Sequence, residues 1–239
     1  MAKYKIYPMH VGDLQRQKSN LLFMKYPGEK ILFPLICWYI TDGERHIMVD
    51  TGGTPPDGRW QPSYRTPEQN PAQVLKRMGV DPLSITEVIF THLHWDHAGN
   101  NHLFPNAKFY VQKDEIRDAA APELKIFAGS YDYEQIFKTR YNVVDGDCQI
   151  LDGIRVIKTP GHSMGSQSVI IDTEKGEYLL AGDLIGMFEC MDFEPWVANS
   201  LHINLLDYYN SFEKVKKTGA FILPGHDYKV FEHAVYPFQ

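Results

Sequence analysis

Short apolar runs that end on a polar residue recur along the chain. Runs such as "TEVIF" and "AFIL" are rich in Val, Ile and Phe and lack the polar alternation of a half-exposed strand. Continuous runs of this length are typical of strands buried on both faces, and a Gly or Pro beyond each run turns the chain. Five such strands are predicted, and they end on Asp50, His92, His162, Asp183 and His226.

Five strands that each deliver a polar group at the same end predict one shared site on a rigid sheet. Helical patterns over Ala72–Met78, Lys113–Ala120 and Leu206–Lys217 add helices to the strands, which predicts an α/β or α+β layered domain. Two segments read as long loops, the proline-rich Thr54–Pro71 and the aromatic Ala121–Tyr133. Loops of this length form the walls or lid of a site in some proteins and plain surface excursions in others.

The segment Thr91–Gly99, "THLHWDHAG", concentrates three histidines and an aspartate directly after an apolar run. On a helix, where each residue turns by about 100°, these side chains would not converge. On a strand, His97 would point away from the others. A loop directly after a strand lets them converge and can divide them between two adjacent ions. Nitrogen and oxygen donors without a thiolate suit zinc, with manganese, iron or cobalt as alternatives.

The composition of the chain argues against some classes of binding partner. The 239 residues include 44% hydrophobic residues and carry a net charge of −6, which argues against a nucleic-acid partner. The first ten residues do not resemble a signal peptide, and the longest apolar stretch, Ile31–Ile40, is too short to cross a membrane. Three widely spaced cysteines do not form a disulfide framework. We therefore expect a cytoplasmic protein without a membrane partner.

The motifs together resemble the metallo-β-lactamase superfamily. They are "HLHWDH" at His92–His97, "PGH" ending on His162, "GD" ending on Asp183 and "PGHD" around His226, preceded by "VDTG" at Val49–Gly52. The resemblance covers nearly the whole chain. It implies an α+β fold, a four-layer αβ/βα sandwich formed by residues 1–239 as a single domain, with two metal ions at one edge of the sheets.

The resemblance also implies the ligands. His92, His94 and His162 would hold one ion; Asp96, His97 and His226 would hold the other; and Asp183 would bridge them. Asp50 would orient ligands through hydrogen bonds. Two ions about 3.5–4 Å apart can share a water and generate a hydroxide near neutral pH. Asp96 would then carry a proton to the leaving group, and both it and Asp183 count as catalytic.

A second motif competes for the same residues. "GHSMG" at Gly161–Gly165 matches the nucleophile elbow of serine esterases, and an aspartate and a histidine follow in the required order. That motif needs a helix after the serine, whereas "MGSQSVIID" is typical of a strand. The serine-esterase interpretation also leaves the His92–His97 cluster without a purpose, so we favour the metal site.

Details within the superfamily indicate a branch. Zinc β-lactamases usually carry Cys where Asp183 stands, and flavodiiron oxidoreductases carry Glu where His94 stands. Thioester hydrolases of the glyoxalase II type share all seven ligands but have a basic C-terminal region that is absent after Gly225. The chain is most similar to the N-acyl-homoserine lactonase-like branch. This resemblance predicts attack of a metal-bridging hydroxide on the ester carbonyl of a small lactone, an activity that would quench quorum sensing.

One position departs from that branch. The lactonases place a tyrosine three residues after the bridging aspartate, where this chain has Gly186. Candidates for the missing substrate contact are Tyr131, Tyr133 and His202. Phe188, Trp196 and Trp60 are candidates for an acyl pocket, although each of them also fits an ordinary core or surface position.

Alternatives to the lactonase therefore stay open. They are a hydrolase of another small lactone, ester or thioester, an iron-dependent redox enzyme on the same scaffold, and a metal-stabilised binding protein without turnover. The expected cofactors are two divalent ions per chain, zinc first, and the expected partner is a small-molecule substrate. A homodimer stays open.

Overall fold

The computed structural model describes residues 2–55, 62–122 and 125–238, apart from the side chains of residues 125–127. Seven of its strands form a first sheet in the order β4-β1-β2-β3-β5-β6-β7. The bounds are β1 Lys5–Gln17, β2 Lys30–Thr41, β3 His46–Val49, β4 Ser63–Tyr64, β5 Glu87–Ile89, β6 Lys108–Gln112 and β7 Tyr141–Val144. The long β1 and β2 pair antiparallel, whereas β3, β5, β6 and β7 run parallel.

Five strands form a second sheet in the order β12-β11-β10-β9-β8. The bounds are β8 Cys148–Leu151, β9 Ile154–Lys158, β10 Gln167–Thr173, β11 Gly176–Leu180 and β12 Phe221–Leu223. Strand β10 is antiparallel to both β9 and β11, and β12 is parallel to β11. Strands β9, β11 and β12 therefore run in one direction and end at the same edge.

The helices cover the outer faces of the two sheets. Their bounds are α1 Pro71–Arg77, α2 Trp95–Ala98, α3 Lys113–Ala120, α4 Tyr133–Lys138 and α5 Leu205–Lys216. Helix α5 turns Tyr208, Phe212 and Val215 inward, the i, i+4, i+7 spacing of a buried helical face. These side chains belong to one apolar cluster with Ile170 of β10 and Leu179 of β11.

The main core lies between the sheets. Alternate residues Ile36, Trp38 and Ile40 of β2 belong to one buried cluster with Val169 and Ile171 of β10. The intervening residues of these strands face the helices instead, because successive side chains of a strand point to opposite faces. Both sheets are thus buried on both faces, and the implied four-layer αβ/βα sandwich is confirmed.

The sequence predictions for local structure hold in most places. All five predicted strands are present, as β3, β5, β9, β11 and β12, and the three predicted helices correspond to α1, α3 and α5 within one residue at each end. The expectation of one sheet is wrong, because β3 and β5 lie in the first sheet and the other three strands in the second.

The two predicted loops contain short regular elements. Strand β4 and a 3-10 turn at Pro67–Gln69 lie in the first, and another 3-10 turn, Lys125–Ser130, lies in the second. Residues 56–61, and with them Trp60, fall outside the described residues, as do residues 123 and 124. No helix in the described parts of the chain is long and apolar enough to cross a membrane.

Candidate metal centre

The polar residues that follow strands of both sheets converge at one site. Their ligand atoms form three groups, and the atoms of each group lie within 4.8 Å of one another. The groups are His92, His94 and His162; His92, His97 and Asp183; and Asp96, His97 and His226. All seven predicted ligands are therefore brought together, and six of them are buried.

The first group consists of three imidazoles. His94 Nδ1 lies 3.0 Å from both His92 Nε2 and His162 Nε2. A ring nitrogen carries one proton or one lone pair, so it cannot make a full hydrogen bond to both neighbours. Burial, reinforced by the other histidines, holds the pKa of His92 and of His94 well below the usual value. These rings are therefore neutral and offer lone pairs to a cation.

Asp183 lies between this three-histidine group and the group formed by Asp96, His97 and His226. Its Oδ2 is 3.2 Å from His162 Nε2, while its Oδ1 is 2.9 Å from His226 Nε2 and 3.1 Å from His97 Nε2. Asp96 Oδ2 is more distant, 3.8 Å from His97 Nε2 and 3.9 Å from His226 Nε2. One carboxylate thus faces both groups, with a different oxygen toward each.

The charges around His97 favour the binding of a cation. Burial disfavours the charged form of His97, but the carboxylates of Asp50, Asp96 and Asp183 outweigh it and raise the pKa of His97 well above its usual value. Within the described residues, the buried His97 Nε2 and Asp183 Oδ1 lie 3.1 Å apart, but neither makes a hydrogen bond of good geometry. Buried carboxylates need positive charge beside them, and a divalent ion would supply that charge while taking these two atoms as ligands. The residues present therefore fit metal ions.

Contacts behind the ligands fix which ring nitrogen faces the site. Asp50 Oδ2 lies 2.7 Å from His97 Nδ1, and the Nδ1 atoms of His162 and His226 lie 2.6 Å and 2.9 Å from the carbonyl oxygens of Leu201 and Pro34. In each case the Nδ1 proton is donated outward, which leaves Nε2 for the site. Backbone carbonyls carry no sequence signal, so these two contacts could not be predicted.

Thr91 completes the arrangement around Asp50. Its backbone N–H donates to Asp50 Oδ1 and its hydroxyl donates to Asp50 Oδ2, both at 2.7 Å. Asp50 itself adopts a left-handed backbone conformation with φ of 60°, which is uncommon for a residue other than glycine. Thr91 was not among the predicted site residues, although its place immediately before His92 was an available signal.

The glycines after Asp50 allow a close approach of two segments. A Cβ atom on Gly53 would lie 1.8 Å from the carbonyl oxygen of Trp95, which is shorter than any real contact. Hydrogen bonds from Thr51 N to His97 O and from Gly99 N to Gly52 O join the same segments.

Since α2 forms one helical turn here, Asp96 and His97 lie on a helix and not in the predicted loop.

The serine of the competing motif is not placed for nucleophilic attack. Ser163 Oγ donates to Glu115 Oε2 at 2.6 Å and lies 2.6 Å from Ser166 Oγ. The segment that follows is β10, a strand, as the sequence predicted. A serine nucleophile needs a histidine base within hydrogen-bond reach, and His226 instead contacts Asp183 and Pro34.

A cleft of about 550 Å³, counted with its open mouth, borders Asp96, Asp183 and His226. Its apolar wall contains Leu21 and Phe33, and its polar lining includes four residues that no sequence motif indicates. They are Arg16, Asn20, Ser130 and Asn199. Much of the wall comes from the N-terminal segment, which contains no recognisable motif.

The five predicted substrate contacts are not among the described residues that line this cleft. The Tyr131 hydroxyl donates a hydrogen bond to Asp118 at 2.7 Å, and Tyr133 stacks on Phe137. Trp196 packs edge-on against Phe212, and His202 packs edge-on against Phe23. Phe188 packs against the core between the sheets. Their roles in substrate binding stay predictions.

Leu21 packs against the position of the missing tyrosine. A Cβ atom on Gly186 would lie 3.2 Å from Leu21 Cδ2, so a larger side chain there would have to displace Leu21. Leu21 also lines the cleft. The wall on this side is therefore apolar in this chain.

Comparisons with known proteins agree with this geometry. The family model described as the metallo-beta-lactamase superfamily matches residues 36–226. The N-acyl homoserine lactonase AiiA of Bacillus thuringiensis subsp. kurstaki is 31% identical, covering 95% of this chain and 94% of the relative. The lactonase AttM of Azorhizobium caulinodans is 28% identical over the same shares. A solved N-acyl homoserine lactone hydrolase, with N-hexanoyl-L-homoserine bound at its catalytic metal center, has a TM-score of 0.84 at 28% identity and covers 97% of this chain and 96% of its own.

Proposed function

Because this chain belongs to the metallo-beta-lactamase superfamily, we propose that it is a metal-dependent hydrolase that opens the lactone ring of N-acyl-homoserine lactones. The observation that carries the proposal is the cluster of seven donors, in which Asp183 faces both groups. The similarity to N-acyl homoserine lactonases over nearly the full length of the chain supports the substrate class.

Two divalent ions, zinc in the first instance, would complete the site. His92, His94 and His162 would hold one ion, and Asp96, His97 and His226 the other, with Asp183 shared between them. When bound, such a pair supplies Lewis-acid activation of water and of the ester carbonyl. Asp50 holds the ring of His97 in position, and the carbonyls of Leu201 and Pro34 do the same for His162 and His226.

Asp96 is the residue best placed to move a proton. It lines the cleft and is the one ligand candidate of the seven that is not fully buried. Its carboxylate is also more distant from the histidines than that of Asp183. We assign it the transfer of a proton to the alkoxide oxygen that leaves the opened ring.

The cleft lining suggests how a lactone would bind. Leu21 and Phe33 offer apolar surface to an acyl chain, while Arg16, Ser130 and Asn199 offer hydrogen-bond donors to its amide oxygen. Opening of the lactone ring of such signal molecules in the cytoplasm would quench quorum sensing. The single domain spanning residues 1–239 and the homodimer both stay predictions.

One observation favours a second substrate class. Apolar Leu21 packs against Gly186, where lactonases of this branch are expected to carry a tyrosine. A different small lactone or ester, without the acylamino group, would need no donor on that side. The chemistry of ring opening or ester cleavage would be the same.

A substrate panel separates the two classes. We expect the purified protein to convert N-hexanoyl-homoserine lactone to the ring-opened acid, identified by mass spectrometry as the addition of one water. Simple alkyl lactones and aryl esters of similar size serve as comparison substrates. Rapid turnover of those compounds with none of the acyl-homoserine lactone would replace the proposed substrate, and turnover of none would refute the hydrolase.

Replacement of Asp96 by asparagine tests the proton transfer. Asparagine keeps an oxygen that can face a metal ion but cannot carry a proton, so we expect kcat to fall by about 100- to 10,000-fold. The metal content per chain, measured by elemental analysis, should change little. Asp145→Asn, at an exposed residue paired with Lys113, is the matched control. A kcat within a few-fold of the unsubstituted enzyme would contradict the assignment.

A further inference from the structure

Glu115 is a buried carboxylate that the mechanism above does not use. It lies in the first turn of α3, and its side chain is fully enclosed, at 0% exposure. Among the described residues no lysine, arginine or histidine forms an ion pair with it. A buried carboxylate without a cation needs several hydrogen-bond donors to be tolerated.

Those donors come from two segments that carry metal ligands. Glu115 Oε1 accepts the backbone N–H of Leu93 at 2.8 Å, and Oε2 accepts the Ser163 hydroxyl at 2.6 Å and the Gly165 N–H at 3.0 Å. Leu93 stands between His92 and His94, and Ser163 directly follows His162. One carboxylate thus joins the two segments that supply the three-histidine group.

The packing around Glu115 leaves little freedom for this arrangement. A Cβ atom on Gly165 would lie 2.1 Å from the backbone nitrogen of Glu115, so the segment after His162 rests directly on the start of α3. Ser166 Oγ accepts the N–H of Ser163 at 2.9 Å and holds the same turn from its other side. Neither segment can shift to replace a lost contact without breaking another.

We propose that Glu115 is a positioning residue that sets the separation of His92, His94 and His162, and therefore selectively determines the affinity of the ion bound there. The inference rests on the proposed two-metal function. Without the carboxylate, the buried N–H groups of Leu93 and Gly165 lose their acceptor, and any adjustment that satisfies them changes the spacing of the three histidines. The group formed by Asp96, His97 and His226 has no contact with Glu115 among the described hydrogen bonds, and its affinity stays unchanged.

Glu115→Gln is the test, because it keeps the volume of the side chain. Both carboxylate oxygens accept hydrogen bonds, so the amide NH₂ must face a donor and at least one contact is lost. We expect a competition titration of the metal-free protein with Zn²⁺ and a chromophoric chelator to show two affinities. One of them should be weakened by about 10- to 100-fold, as for other residues that orient metal ligands, and the other should stay within about threefold.

Two further variants frame the result. Asp114→Asn, at the neighbouring residue on the same helix and paired with Lys158, should leave both affinities unchanged. Ser163→Ala removes one donor and keeps the carboxylate, so it should weaken the same ion by less than Glu115→Gln does. If Glu115→Gln does not fold, the two Zn²⁺ affinities of Ser163→Ala still test the proposal.

The outcomes divide clearly. Unchanged affinities in Glu115→Gln and Ser163→Ala, or an equal loss at both sites, would overturn the selective positioning, even if thermal stability falls. An unsubstituted protein that binds fewer than two ions would overturn both this inference and the two-metal function. A protein that binds two ions without hydrolysing any lactone would refute the proposed function and leave the inference standing.

Discussion

Asp183→Ala is expected to remove at least one of two divalent ions per chain and to lower kcat for lactone hydrolysis by about 1000-fold or more. Asp183 is the only described carboxylate whose oxygens face both groups, at 3.2 Å from His162 and 2.9 Å from His226. Burial acts to raise the pKa of Asp183, but the surrounding histidines outweigh it and hold that pKa well below its usual value. The buried negative charge is therefore fixed at this point and would be lost in the variant.

Elemental analysis of the purified variant, beside kcat from a lactone assay, measures the effect. Asp145→Ala is the control, because it removes an exposed carboxylate that contacts only Lys113 among the described ion pairs. Both ions retained at full occupancy in Asp183→Ala would show that this carboxylate does not bridge them.

His92→Ala is expected to abolish measurable turnover, with a loss in kcat of about 1000-fold or more. His92 belongs to two of the three donor groups, and its ring centroid lies 4.1 Å from that of His97 and 4.5 Å from that of His94. Removal of this ring opens the three-histidine group and leaves a buried space beside His97. The metal content should fall by one ion.

The control for His92→Ala is His102→Ala. His102 is an exposed histidine that contacts Gln135, and its loss should leave kcat within about twofold. Steady-state kinetics on both variants, with metal supplied in excess, give the comparison. A near-normal kcat in His92→Ala would mean that the reaction takes place elsewhere in the molecule.

The sequence was informative wherever a local run determined the structure. Strand β5 and the ligands after it are neighbours in the chain, so their proximity needed no knowledge of the fold. Helix α3 was predicted with its observed bounds, because its pattern of buried and exposed residues is local. The resemblance to a family supplied the arrangement of the remaining strand ends around one site.

The features that could not be predicted depend on contacts distant in sequence. Leu21 meets Gly186 across 165 positions, and the Pro34 carbonyl meets His226 across 192. The division of the strands between two sheets is likewise set by pairing partners and not by any single run. The side chains that line the cleft were missed for the same reason, because Arg16 lies on β1 in a segment without a motif.

Proton release at constant pH is the most direct test of the central claim that the seven donors form a two-metal hydrolytic site. Opening of N-hexanoyl-homoserine lactone produces a carboxylic acid, so each turnover releases one proton that a titrator can count. Chelated protein should release none, and activity should return and reach its plateau at two equivalents of divalent ion per chain. Undiminished proton release from the metal-free protein would contradict the claim.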